Sequence, residues 1–156
     1  MTDTLTGDVI DNVLGLGPTD ELFRLREQRA KMKHLTQTSY IAALQPSEAR
    51  NFSYAMRAAI AARMSSLWKA DELRAHYLAA LEAENAAEDV VAIADPASTT
   101  PSDQKLATIL AHVDLVTLSP KEATRANIER LYAVGLDDRD IVTLAGLIAY
   151  VNYQIL

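Results

Sequence analysis

The chain has 156 residues, 49% of them apolar, and 15 basic against 21 acidic side chains leave a formal charge of −6. That length suffices for one domain with a core that needs no disulfide or metal staple, and the acidic balance, without any basic run, sets nucleic acid aside as a partner. There is no cysteine, so disulfides, thiolate metal sites and every thiol mechanism are absent together.

The opening residues MTDTLTGDVIDNVLGLG lack the basic start and apolar block of a signal peptide. No segment approaches the ~20 apolar residues of a membrane helix, so a cytoplasmic address with no membrane partner is expected. Helix signals then dominate. GPTDELFRLREQRAKMKHL starts with Pro18, a Thr19 cap and the acids Asp20 and Glu21, which suit a helix N-terminus, and Leu22, Leu25, Arg26 and Arg29 follow at helical spacing. TQTSYIAALQP reads as a short helix capped by Thr36, burying Tyr40, Ile41 and Leu44 and halted by Pro46. Ser47 then caps a longer helix through Trp68, whose stripe of Phe52, Met56, Ala59, Ile60, Met64 and Leu67 also contains Arg63.

A further helix from about Asp71 turns Leu73, Tyr77, Ala80 and Leu81 inward, with His76 beside Tyr77 and Glu72 one turn before His76. ADPASTTPSDQ is a turn-rich linker. The expected organisation is therefore a single domain over 1–156, with N-terminal helices in 1–95, a linker at 96–101 and C-terminal helices in 102–156. Thr100 and Pro101 start a helix bearing Leu106, Ile109, Leu110 and Val113; Ser119 and Glu122 form a capping box with Pro120 at the first helical position. Thr124 caps the next turns, which end on Gly135, and Asp137 caps the final helix. That helix carries Ile141, Val142, Leu144, Ile148, Val151 and Ile155 on more than one side, which predicts burial in a core plus a subunit interface in a homo-oligomer, or else the centre of a monomeric bundle.

The order of these segments resembles the alkylhydroperoxidase-D-like and carboxymuconolactone decarboxylase superfamily. The resemblance is strongest in LATILAHVDLVTLSPKEATRANIERLYAVGLDDRDIVTLAGLIAYVNYQ, and QTSYIAAL, AMRAAIAARM and LRAHYLAAL extend it to a cysteine-free branch over nearly the whole chain. It implies an all-α alkylhydroperoxidase-D-like fold and a homo-oligomer. Where peroxidase members carry ExxCxxCxxxH, the cysteine positions fall here on Ala70 and Leu73, and the last histidine position on Tyr77, with His76 matching a neighbouring histidine. An apparent insertion at ARMSSLW leaves no glutamate to carry over. Thiol peroxidase activity needs a thiolate to attack peroxide and a second thiol to resolve the sulfenate, so it is excluded for this chain acting alone.

Two functions remain open. The resemblance to the decarboxylase members implies a lyase-like site for a small carboxylate, needing a cation, a proton donor and a dry pocket. Its candidate catalytic residues are His76, Tyr77 and Arg57, and its candidate substrate-binding residues Arg63 and Glu72. The other function is a non-catalytic helical scaffold or binding subunit, in which the same residues pack and pair, perhaps beside a cysteine-bearing peroxidase relative. Glu72 and His76, at i and i+4, are too few for a metal site by themselves, and His34 and His112 stand at ordinary helix positions, so no metal or cofactor is expected. A cleft joining His76, Tyr77 and an arginine favours the first function, and sealed packing of those groups the second.

Overall fold

The alanine-rich segment YAMRAAIAARMSSL takes the centre of the molecule. The computed structural model describes residues 7–98 and 101–156, and among these the secondary structure is helical, with no strand. In chain order the helices are α1 (Val9–Val13), α2 (Glu21–Glu27), α3 (Ala30–Leu44), α4 (Tyr54–Leu67), α5 (Asp71–Ala83), α6 (Glu88–Ile93), α7 (Gln104–Leu118), α8 (Arg125–Ala133) and α9 (Asp138–Ile155). None of the described helices is long and apolar enough to cross a membrane.

Every residue of α4 from Arg57 to Ser65 is buried, so the single stripe expected there is in fact burial all round. Small side chains make this possible: Ala58, Ala59, Ala61 and Ala62 let α3, α5, α6, α7 and α9 pack against the same helix. α9 supplies Leu144, Leu147, Ile148 and Val151 to that core, while its other side leaves Val142 71% exposed and Tyr153 exposed as well.

The N-terminal helix boundaries differ from expectation for one recurring reason. Ser and Thr hydroxyls satisfy backbone groups either as caps or by bonding back to the carbonyl four residues earlier, and spacing does not say which. Thr36, expected as a cap, lies inside α3 and donates to the Met32 carbonyl at 2.9 Å; Thr38 and Ser39 do likewise to His34 and Leu35. The break comes earlier, at Gln28 and Arg29, and Ile41 stays 46% exposed rather than buried. Asp20, not Thr19, is the residue before α2. Ser53, not Ser47, caps α4 by accepting from the Met56 N–H at 3.1 Å.

Two short helices, α1 and α6, carry no clear periodic signal and were not expected. α1 is held by charge: Asp8 accepts from Arg26 at 2.5 Å, and Asp11 pairs with Arg26 at 2.7 Å and Lys33 at 2.6 Å. The C-terminal half follows its sequence more closely. Thr100, the expected helix start, lies outside the described residues; α7 begins at Gln104 with Asp103 as its cap. Pro120 opens a single 3-10 turn, Pro120–Glu122, without a side-chain bond from Ser119, so the expected capping box does not form there. It forms instead at Thr124, whose N–H and hydroxyl both donate to Asn127 Oδ1, at 2.8 and 2.9 Å. Asp137 caps α9 as expected, accepting from the Asp140 N–H at 2.8 Å.

Gly135 adopts φ 91°, the left-handed stop that ends α8, with the Leu136 N–H donating to the Leu131 carbonyl at 3.1 Å. The same turn ends α4 at Lys69, with φ 56°, and there a side chain occupies a conformation that suits glycine. Lys69→Gly is expected to stabilise the fold by about 0.5–1 kcal/mol, the relief of left-handed strain outweighing the extra entropy of glycine in the unfolded chain. A thermal melt reads this directly, and a lower Tm for the variant would contradict it.

Candidate functional site

Arg57 sits at the first turn of α4, facing the irregular segment that joins α3 to α4. Its Nε–H donates to the Phe52 carbonyl at 2.9 Å, Nη1 to Ala43 at 2.8 Å and Nη2 to Ala49 at 3.2 Å. The side chain is buried, and loss of hydration holds its pKa below the usual guanidinium value. It borders a cleft of about 400 Å³ between α3 and α9, together with Arg50 and Tyr150. The Tyr150 hydroxyl is enclosed without a hydrogen-bond partner among the described residues, and burial, with Tyr40, Tyr153 and Asp8 nearby, raises its pKa well above the ordinary phenol value.

Arg63 lies nearly two turns along α4 and faces elsewhere. Its Nε–H and Nη2–H grip the two oxygens of Asp114 on α7 at 2.6 and 2.7 Å, and Nη1 donates to the Ile93 carbonyl at 3.2 Å, where α6 ends. This planar two-point grip is the geometry in which a guanidinium is most firmly held. Arg63 borders a cleft of about 620 Å³ with Asp114, Asp89 and Asp103 on its walls, so the surroundings are acidic. An added carboxylate there would meet a cation already paired and several like charges.

His76 and Tyr77 lie on α5. The His76 Nε2 is 2.9 Å from the Tyr40 hydroxyl of α3, and the two rings meet edge to face with centroids 5.7 Å apart. Burial keeps both groups neutral, pushing the imidazole pKa down and the Tyr40 phenol up to about 12. Tyr77 is fully buried and donates its hydroxyl to Gln154 Oε1 of α9; burial, with smaller contributions from Tyr40 and Tyr150, raises its pKa strongly. Glu72 is exposed at the start of α5. Neither the Arg57 cleft nor the Arg63 cleft includes His76, Tyr77 or Glu72.

The structure thus places the five candidate residues in four settings. Arg57 pins a loop, Arg63 joins two helices through Asp114, His76 with Tyr77 belongs to an aromatic cluster with Tyr40 and Tyr150, and Glu72 is exposed at the start of α5. Tyr40, Gln154, Asp114 and Tyr150 are the partners that sequence spacing does not reveal; the one available signal was Arg63 itself, a charge on an apolar stripe that demands a counter-charge. Among the described residues no group of three or more His, Asp or Glu side chains gathers as a metal site would require.

No protein-family profile matches the chain, and no curated protein matches it. Among solved structures it is similar to the crystal structure of an uncharacterized peroxidase-related protein from Silicibacter sp. TM1040, with a TM-score of 0.71 and 20% identity over 81% of this chain. The match spans 65% of that neighbour's length. At this identity the likeness is one of fold, and the shared fold is the all-α, alkylhydroperoxidase-D-like arrangement that the sequence leads one to expect.

Proposed function

We propose that the chain is a cysteine-free relative of the alkylhydroperoxidase-D-like and carboxymuconolactone decarboxylase proteins that serves as a non-catalytic helical subunit, assembling with copies of itself or with a cysteine-bearing relative. One observation carries this reading: four of the five candidate side chains are engaged within the chain, His76 with Tyr40, Tyr77 with Gln154, Arg57 with three backbone carbonyls and Arg63 with Asp114. Polar groups so satisfied stabilise a fold, whereas substrate groups need free donors. Thiol-based peroxide turnover has no nucleophile here, whatever the fold neighbour does. The apolar side chains Val142 and Tyr153 on α9 and Leu35 and Ile41 on α3, all left exposed, are what a second subunit would cover.

A lyase-like reading keeps one supporting observation, the cleft where Arg57 and Arg50 stand beside the unpartnered Tyr150 hydroxyl. It requires a carboxylate to draw Arg57 away from its carbonyls.

His76→Ala separates the readings. In the subunit reading it strands the Tyr40 hydroxyl and removes about 1–3 kcal/mol of stability. That is a fall in Tm of roughly 2–4 °C per kcal/mol for a chain of this length. Any thermal shift produced by acetate, benzoate or a small dicarboxylate should be the same in both proteins. An unchanged Tm together with loss of the carboxylate response would establish His76 as a ligand group and end this reading. Sedimentation at micromolar concentration should show more than a monomer, and a monodisperse monomer would remove the assembly part.

A further inference from the structure

The groove between α7 and α8 is unlike the settings above because three of its polar side chains, His112, Asn127 and Arg130, keep uncommitted donors over an apolar floor. It encloses about 490 Å³, within the range of small-molecule sites. Ala107, Ala111 and Leu115 supply the apolar surface, and Gln104, Thr108, His112, Asn127 and Arg130 the polar groups, of which the Thr108 hydroxyl already donates to the Gln104 carbonyl at 2.8 Å.

His112 is the unusual member. It is only 9% exposed, makes no hydrogen bond among the described residues, and its Nδ1 is enclosed without a partner. A proton on that inner nitrogen would have no acceptor, which is costly in a buried place, so the neutral ring carries its N–H on Nε2. Burial also lowers the imidazole pKa, which disfavours the doubly protonated ring. Nε2–H is then a donor in want of an acceptor.

The neighbours point the same way. Asn127 Oδ1 already accepts from the Thr124 N–H and hydroxyl, which leaves the amide NH2 as its free group. Arg130 forms no ion pair among the described residues, while the other α8 charges, Arg125 and Glu129, pair with each other at 3.0 Å. Three kinds of donor and a single full positive charge therefore face one groove in a chain of net charge −6.

We propose that the α7–α8 groove is a binding site for a small monocarboxylate with an apolar body, its carboxylate taken by Arg130, Asn127 Nδ2 and His112 Nε2, and its body lying on Ala107, Ala111 and Leu115. The monoanion follows from the single cation, and the apolar body from the floor; an inorganic phosphate would find one charge too few and no use for the alanines. The site shares no residue with the His76 cluster and stands whether or not that cluster is purely structural.

The test uses the full chain labelled with ¹⁵N, followed by NMR during titration with acetate, hexanoate, benzoate and inorganic phosphate. Long-range histidine spectra should show His112 as the Nε2–H tautomer. Hexanoate and benzoate should shift His112 and the Asn127 side-chain amide saturably, more tightly than acetate or phosphate. Arg130→Gln, a change at an exposed side chain, should weaken benzoate roughly tenfold or more while leaving Tm nearly unchanged. His112→Phe should also abolish the saturable shift of the Asn127 side-chain amide, with Arg130→Gln keeping the test decisive if that variant folds poorly. Absence of a saturable shift at His112 with any acid, an Arg130→Gln titration identical to wild type, or phosphate binding as tightly as benzoate would each overturn the proposal.

Discussion

Arg57→Leu is expected to be among the most damaging single changes in the chain, lowering stability by roughly 3–5 kcal/mol. Arg57 is 3% exposed and its guanidinium is the donor for carbonyls at Ala43, Ala49 and Phe52, which lie at the end of α3 and along the irregular connection to α4. Carbonyls at a helix end or in an irregular connection have few other donors to turn to, so leucine fills the volume and strands the Ala43 and Phe52 carbonyls, leaving Ala49 with the Phe52 N–H alone. Arg57→Lys should recover little, because a single ammonium cannot reach three carbonyls that a planar fork meets in three directions. Urea unfolding of the three proteins checks this: the midpoint should fall sharply for both variants. A catalytic arginine free of structural duty would instead leave the midpoint within about 1 kcal/mol of wild type.

The second large effect is expected at Asp114, through the charge it leaves behind. Asp114→Ala removes both oxygens from Arg63, whose guanidinium stays buried between α4, α7 and the end of α6. Breaking a buried pair from one side destabilises more than removing the pair altogether, because the stranded charge has lost its water as well as its partner. Asp114 keeps 31% of its side chain in solvent. The loss is therefore set at about 2–3 kcal/mol, below that of a fully enclosed pair. Arg63→Met in the same background should restore part of it. A double-mutant cycle measures the coupling, and additive single and double changes would show that the pair contributes nothing beyond its packing.

These two arginines show what the sequence made legible and what it hid. Arg63 stood out as a charge inside an apolar stripe, yet its partner is 51 positions away, and no spacing rule connects them. Tyr40 and His76, 36 positions apart, are the same case. Local chemistry was readable where one residue type has one use: Gly135 as a left-handed stop, and Asp137 before α9 as a cap. It misled where a side chain has two uses, as with Thr36, whose hydroxyl bonds backward inside α3, and Ser47, which yields its expected role to Ser53. The centre of the fold was hidden for a different reason. A helix rich in alanine has so little contrast between its faces that its pattern does not say how many neighbours it will meet.

The enclosure of α4 bears on how this sequence can change over time. A helix with one wet face leaves every third or fourth position free to drift, so a three-to-four rhythm of fixed and variable residues is expected among related chains. From Arg57 to Ser65 there is no free face. Substitutions are expected to accumulate around that stretch rather than within it, and a distant relative of the same fold would need nine consecutive residues of nearly the same volumes, with any enlargement of one alanine matched by a reduction in the helix against it.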